Sequence, residues 1–115
     1  YSEIRPANKR FAFIDFENTD CYIASTKLMV LRPKTELVYP RFLYAVLTSK
    51  ELIDEMQYLA ETRSGTFPQI TFSSELAPYR INLPDFVTQK KIVSLLDAIE
   101  QKIEVNNTIN ENLAA

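Results

Sequence analysis

The feature that most constrains this chain is a run of regularly spaced apolar and Asn residues in its last quarter. These residues recur at alternating steps of four and three, which is the spacing of a coiled-coil seam rather than of a helix packed on a globular body. The seam positions are Ile92, Leu96, Ile99, Ile103, Asn106, Asn110 and Leu113. The hydroxyl of Thr88 is suited to accept a hydrogen bond from an N–H group of the first turn. The sequence therefore predicts a coiled-coil-type helix that begins at Thr88.

Two positions of this seam carry Asn rather than an apolar residue. A buried Asn in a coiled coil weakens the packing but fixes the register and the choice of partner. Alternatively, the helix frays or leaves its partner near Asn106. Both interpretations stay open at the level of sequence.

Short apolar segments upstream of the helix have the length and residue types of β-strands. They lie at residues 11–16, 22–24, 27–31, 70–72 and 79–83. The last of them ends at Pro84, which has no N–H group to donate to a sheet. We therefore expect five short strands.

Helical spacing is found between these strands. One predicted helix runs from Pro40 to Leu47 and a second begins at Ser49, while Ser73-Ser74 is predicted to cap a single turn. At 115 residues the chain can build one modest core. We expect a mixed α+β fold, in which a small mixed β-sheet is covered by two or three helices and followed by the long coiled-coil-type helix.

The residue inventory excludes most catalytic classes. The chain has no His and a single Cys, so zinc sites and His-dependent nucleophilic catalysis are excluded. Asp15 and Glu17 could hold Mg²⁺, but no lysine follows at the usual nuclease spacing, and we interpret the pair as a solvated strand end. There is no Gly-rich phosphate loop and no long apolar run. We expect a cytoplasmic, non-catalytic protein without a cofactor or a metal.

Charge is unevenly distributed along the chain. The formal net charge is −2, but residues 1–50 carry a net charge of +3 and residues 51–115 a net charge of −5. Such asymmetry fits a domain that presents one end to phosphate groups and the other end to protein.

Two polar clusters carry the side chains that contact DNA most often. Arg and Gln can bind guanine and adenine edges, and Lys, Ser and Thr suit phosphate groups. The candidate DNA-binding residues are Arg5, Asn8, Lys9, Arg10, Arg63, Ser64, Thr66 and Gln69. An ordinary polar surface is the alternative interpretation of both clusters.

Several ordered motifs resemble the specificity (S) subunit of type I restriction–modification enzymes. Ile-Asn-Leu-Pro at 81–84 precedes a helix that carries Gln-x-x-Ile and Leu-Leu-Asp-x-Ile-Glu-x-Lys-Ile within 89–103. Upstream, Ser-Glu-Ile-Arg-Pro at 2–6, Leu-Arg-Pro-Lys at 31–34 and Pro-Arg-Phe-Leu-Tyr at 40–44 follow the family's order. The resemblance implies the C-terminal part of a target recognition domain at 1–87 and the start of a conserved spacer helix at 88–115.

The same resemblance implies a function and partners. A subunit of this kind recognises a sequence on double-stranded DNA, while separate methyltransferase (M) subunits methylate adenine and restriction (R) subunits cleave. In the family the spacer helices pair antiparallel and bind the M subunits. A homodimer through the C-terminal helix is a further expectation, because an exposed apolar stripe seeks a partner.

Two other functions stay open on the sequence. One is a coiled-coil protein-interaction module that does not bind DNA. The other is the recognition domain of a single-chain DNA methyltransferase, whose cofactor domain would lie outside these residues.

Overall fold

Three α-helices dominate the computed structural model, which describes residues 1–63, 65 and 67–114. They are α1 (Pro40–Leu47), α2 (Lys50–Thr62) and α3 (Phe86–Ala114). A 3-10 turn at Pro6–Asn8 and a π-helical turn at Phe72–Leu76 complete the regular structure. No helix in the described part of the chain is long and apolar enough to cross a membrane.

The predicted mixed β-sheet is wrong. Among the described residues no strand forms, and about half of the chain is helical. Residues 1–5 pair briefly with two other segments, through isolated antiparallel bridges between Ser2 and Leu28 and between Ile4 and Gln69.

Local backbone chemistry explains why these bridges do not extend into a sheet. Arg5 adopts a left-handed conformation with φ of 47°, and Pro6 has no N–H group, so the first segment turns away after Ile4. In segment 11–24, Phe11 and Phe13 make single aromatic contacts, with Tyr1 and Tyr44. No residue of this segment is buried, and Tyr22 and Ile23 are 69% and 97% exposed. A strand without a partner and without a buried face gains too little to form.

The two short helices begin as predicted. Pro40 stands in the first turn of α1, where its missing N–H group leaves no hydrogen bond unmade. The hydroxyl of Ser49 accepts a hydrogen bond from the Leu52 N–H group and caps α2. In contrast, the turn at Phe72–Leu76 is capped by Thr71, whose hydroxyl accepts from the Ser74 N–H group, and not by Ser73-Ser74.

The core consists of two small clusters of buried side chains. The larger one joins α2 to the extended segments and contains Met29, Leu52, Met56, Ala60, Ile70 and Leu76. The smaller one joins α1 to α3 and contains Val38, Phe42 and Val93. Because burying one such side chain contributes about 1.5–3 kcal/mol, these clusters are the main support of the three helices.

The long helix α3 begins two residues earlier than predicted. Asp85 precedes its first residue, and the Asp85 Oδ1 atom accepts a hydrogen bond of 2.7 Å from the Thr88 N–H group. Asp85 therefore caps the helix, and the prediction that Thr88 does so is wrong. A carboxylate at this point also complements the positive end of the helix dipole.

One buried amide fastens α3 to the rest of the molecule. The Gln89 side chain is 1% exposed. Its Oε1 accepts from the Tyr39 N–H group at 2.7 Å, and its Nε2 donates to the Pro84 and Leu37 carbonyl oxygens at 2.9 and 3.4 Å. This side chain thus satisfies backbone groups on both sides of the joint between α1 and α3.

Candidate nucleic-acid interface

The first candidate cluster forms a compact basic turn, which we define as residues 5–10. Its members Arg5, Asn8, Lys9 and Arg10 are all exposed. Arg5 and Lys9 both have positive φ, of 47° and 52°, and flank the 3-10 turn. Such backbone is uncommon for residues other than glycine and needs support from its surroundings.

That support comes from the ends of the turn and from α2. Within the turn, the Asn8 and Lys9 N–H groups donate to the Arg5 and Pro6 carbonyl oxygens at 2.8 and 3.0 Å. From outside, Gln57 Oε1 on α2 accepts a hydrogen bond of 3.0 Å from the Ala7 N–H group. The basic side chains are therefore presented from a fixed backbone.

The second cluster belongs to a loop that lies beside this turn. We call residues 63–71 the glycine loop. Its second half is bonded to the first segment: the Arg5 N–H group donates to the Pro68 carbonyl oxygen at 3.0 Å, and the Ile70 N–H group donates to the Glu3 carbonyl oxygen at 2.9 Å. The structure thus brings Arg5 and Gln69 to one region, although they are far apart in sequence.

The side chains of this region also contact one another. The Arg5 guanidinium lies 5.6 Å from the centre of the Phe67 ring, a cation–π arrangement. The Gln69 Nε2 atom donates to Glu3 Oε2 at 3.1 Å, and Gln69 is half-buried. Part of the hydrogen-bonding capacity of Gln69 is therefore used within the protein.

The first residue of the glycine loop, Arg63, forms an ion pair. Arg63 Nη1 lies 2.9 Å from Glu75 Oε1, and the Glu75 side chain is only 10% exposed. The Glu75 carboxylate also accepts hydrogen bonds from the N–H group and the hydroxyl of Thr71, at 2.6 and 3.1 Å. The candidates Ser64 and Thr66 lie outside the described residues.

Three residues of this region were missed by the sequence reasoning. Phe67 is 61% exposed beside Arg5, Gln57 supports the basic turn, and Glu75 joins the two ends of the glycine loop. Glu75 stands four residues after the capping Thr71, one more than in a capping box, so this local motif does not indicate its contact with Thr71. No local signal could have paired Gln57 with Ala7, because fifty residues separate them.

The predicted seam of α3 forms a second surface. The side of α3 that packs on the molecule carries Gln89 and Val93, which are 1% and 5% exposed. The seam residues all lie on α3 and are exposed: Ile92, Leu96, Ile99, Ile103, Asn106, Asn110 and Leu113. The exposed fraction of the apolar seam residues rises along the helix, from 37% at Ile92 to 79% at Leu113.

The sequence comparison identifies the class of protein to which these surfaces belong. The profile of the type I restriction modification DNA specificity domain matches residues 7–115, so the chain belongs to this family. A curated relative from Haemophilus influenzae, the type I restriction enzyme HindI specificity subunit, is 46% identical over 113 residues. The match covers 98% of this chain and 24% of that relative, so the chain spans about a quarter of the relative's length. No solved structure matches the chain significantly.

Proposed function

We propose that this chain contributes to sequence recognition on double-stranded DNA within the specificity subunit of a type I restriction–modification complex. The observation that supports this most is the junction of the basic turn with the glycine loop. The exposed basic turn meets Gln69 there, and backbone hydrogen bonds from Arg5 and Ile70 join the two segments. Such a surface can combine phosphate contacts, which position a protein on DNA, with base contacts, which specify the sequence.

The proposed DNA contacts are the candidates of the two clusters. Arg5, Lys9 and Arg10 would neutralise phosphate groups, while Asn8 and Gln69 would bind base edges. Ser64 and Thr66 remain candidates by their place in the glycine loop. Arg63 belongs to the same loop, but its guanidinium is engaged by Glu75.

The proposed division of labour follows the membership of the family. Residues 1–87 would act as the C-terminal part of a target recognition domain, and residues 88–115 as the start of a spacer helix. Catalysis would reside in separate M and R subunits, and the exposed seam of α3 would take part in their assembly or in a homodimer. The complex would act in the cytoplasm, where bacterial DNA lies.

A titration of DNA binding against salt tests the proposal. The chain is measured by fluorescence anisotropy on the duplex that it enriches from a random library. Neutralising one phosphate contact lowers the slope of log affinity against log salt by about 0.9. We expect this change for Arg5→Gln, Lys9→Gln and Arg10→Gln.

A lysine elsewhere on the surface serves as the matched control. Lys34 is exposed and lies outside both clusters. Lys34→Gln should therefore leave the slope unchanged. Equal slopes for all four variants, or no binding of any duplex, would contradict the proposed function.

The exposed seam favours one alternative, a protein-interaction module that does not bind DNA. The same titration separates the two functions, because an interaction module would show no salt-dependent affinity for DNA. Methylation mapping of the source genome with and without the gene gives an independent result. Loss of one split adenine-methylated target would support the specificity subunit.

A further inference from the structure

The carboxylate of Glu75 occupies a position that the proposed DNA contacts do not explain. It is the acidic group that joins the beginning and the end of the glycine loop. Arg63 opens the loop and lies 2.9 Å from Glu75 Oε1, and Thr71 closes it with two hydrogen bonds to Glu75 Oε2. An acidic group beside a DNA-binding surface repels phosphate, so its presence there calls for a role.

The burial of Glu75 strengthens this argument. Its side chain is 10% exposed, whereas the acidic partners of the other ion pairs, Asp15 and Asp54, are 62% and 61% exposed. Exposed pairs contribute little, but a nearly buried carboxylate with three hydrogen bonds holds its partners in a defined geometry.

The second half of the loop is already fixed to the basic turn by backbone hydrogen bonds. The Arg5 and Ile70 N–H groups make these bonds. The Glu75 contacts therefore complete a frame in which the loop is attached at its start, at its end and along one side.

We propose that Glu75 is a positioning residue for DNA recognition, and that Arg63 acts through Glu75 rather than by binding phosphate itself. This inference rests on the proposed function. Glu75 holds Arg63 and Thr71, the first and last residues of the glycine loop, in place, so that Gln69 meets base edges in one arrangement. The Arg63–Glu75 pair contributes to sequence discrimination, while Arg5, Lys9 and Arg10 supply the affinity that does not depend on sequence.

The substitution Glu75→Gln tests the inference because simple charge repulsion and a positioning role predict opposite changes in affinity for the enriched duplex. Removing an acidic group from a surface that binds DNA directly should raise affinity for every duplex. Under our proposal, Glu75→Gln instead lowers affinity for the enriched duplex by about tenfold, about the contribution of one base contact. Affinity for a scrambled duplex of the same length, and the salt slope, stay unchanged.

Arg63→Gln provides a second variant. The Arg63 side chain is exposed, so the test does not depend on whether the Glu75→Gln variant folds. It should show the same loss of discrimination with the same salt slope. The double variant should be no worse than either single variant, because both remove the same interaction. A fall in salt slope of about 0.9 for Arg63→Gln alone would show a direct phosphate contact and would overturn the inference.

The matched control is Asp54→Asn, which neutralises an acidic group in the exposed pair with Lys50 on α2. Discrimination should be unchanged by this substitution. Tighter binding of both duplexes by Glu75→Gln, or preserved discrimination, would overturn the role of Glu75. If the unaltered chain enriches no duplex, the proposed function fails instead, so the two failures are distinguishable.

Discussion

Gln89 shows how much one side chain can contribute to the attachment of a long helix. Its amide, on a side chain that is 1% exposed, satisfies the Tyr39 N–H group and two carbonyl oxygens. We expect Gln89→Leu to lower the free energy of unfolding by about 2–3 kcal/mol, because buried backbone groups lose their partners. Urea denaturation measures this change.

A second glutamine on α3 supplies the control for this prediction. Gln101 is exposed, so Gln101→Leu should change the free energy of unfolding by less than about 0.5 kcal/mol. Equal effects of the two substitutions would mean that the Gln89 hydrogen bonds do not stabilise the joint.

The stabilisation of the start of α3 by Asp85 should depend on pH. Hydrogen bonds from the side chain and the backbone of Thr88 lower the pKa of the Asp85 carboxyl from its ordinary value of 3.8. Because the folded pKa lies below the unfolded one, the stabilisation is present above pH 3.8 and is lost as the pH falls through the folded pKa.

We therefore expect wild type to melt at a higher temperature than Asp85→Asn at pH 7, and the two to converge in strong acid. Asn can still accept the hydrogen bond but carries no charge for the helix dipole. Melting curves followed by circular dichroism across this pH range provide the measurement. A difference that does not vary with pH would contradict the assignment of Asp85 as the cap.

Among the elements, α3 stands out because most of its apolar side chains are exposed. Gln89 and Val93 are buried against the molecule, whereas the seam residues are exposed. An apolar stripe of this length on a single helix is typical of a surface that pairs with another helix. The residues of α3 that are buried against the molecule are therefore not those that the heptad spacing indicates.

Substitution within this stripe should weaken self-association. We expect Ile99→Asp combined with Ile103→Asp to shift the chain from dimer toward monomer, because two like charges replace apolar contacts at the seam. Sedimentation velocity measures the change. Gln101→Asp lies on the opposite side of α3 and should leave association unaltered; a monomeric wild type would contradict the predicted homodimer.

For the molecule as a whole, the two ends of α3 contribute differently to stability. Every described residue after Glu104 is exposed, and the one side-chain hydrogen bond there, from Thr108 to the Glu104 carbonyl oxygen, lies within α3 itself. Truncation after Glu104 should therefore leave the thermal midpoint of the folded body unchanged while it weakens association. Differential scanning calorimetry and sedimentation velocity test the two parts separately.

Truncation after Pro84 provides the contrasting case. It removes Val93 from its cluster with Val38 and Phe42 and leaves those side chains uncovered. The thermal midpoint should fall markedly, because the buried apolar area of the smaller cluster is lost. Equal midpoints for the two truncations would show that α3 does not support the body.

The helices of this protein could be predicted from the sequence because their signals are local. Pro40 and Ser49 act within one turn of chain, and the seam spacing of α3 repeats over seven residues. The strands could not be predicted in the same way. An apolar segment becomes a strand only when another segment pairs with it, and the left-handed Arg5 followed by Pro6 ends such pairing after one bridge.

The sequence by itself thus determined the family, the three helices and the two polar clusters that are candidates for DNA contact. Only the tertiary structure decided that Arg5 meets the glycine loop, that Glu75 contacts both Arg63 and Thr71, and that Gln89 and Val93 are the residues of α3 buried against the molecule. Periodicity and capping depend on neighbours within a few residues. Pairing between residues that are distant in sequence depends on how the whole chain excludes water, which no local pattern records.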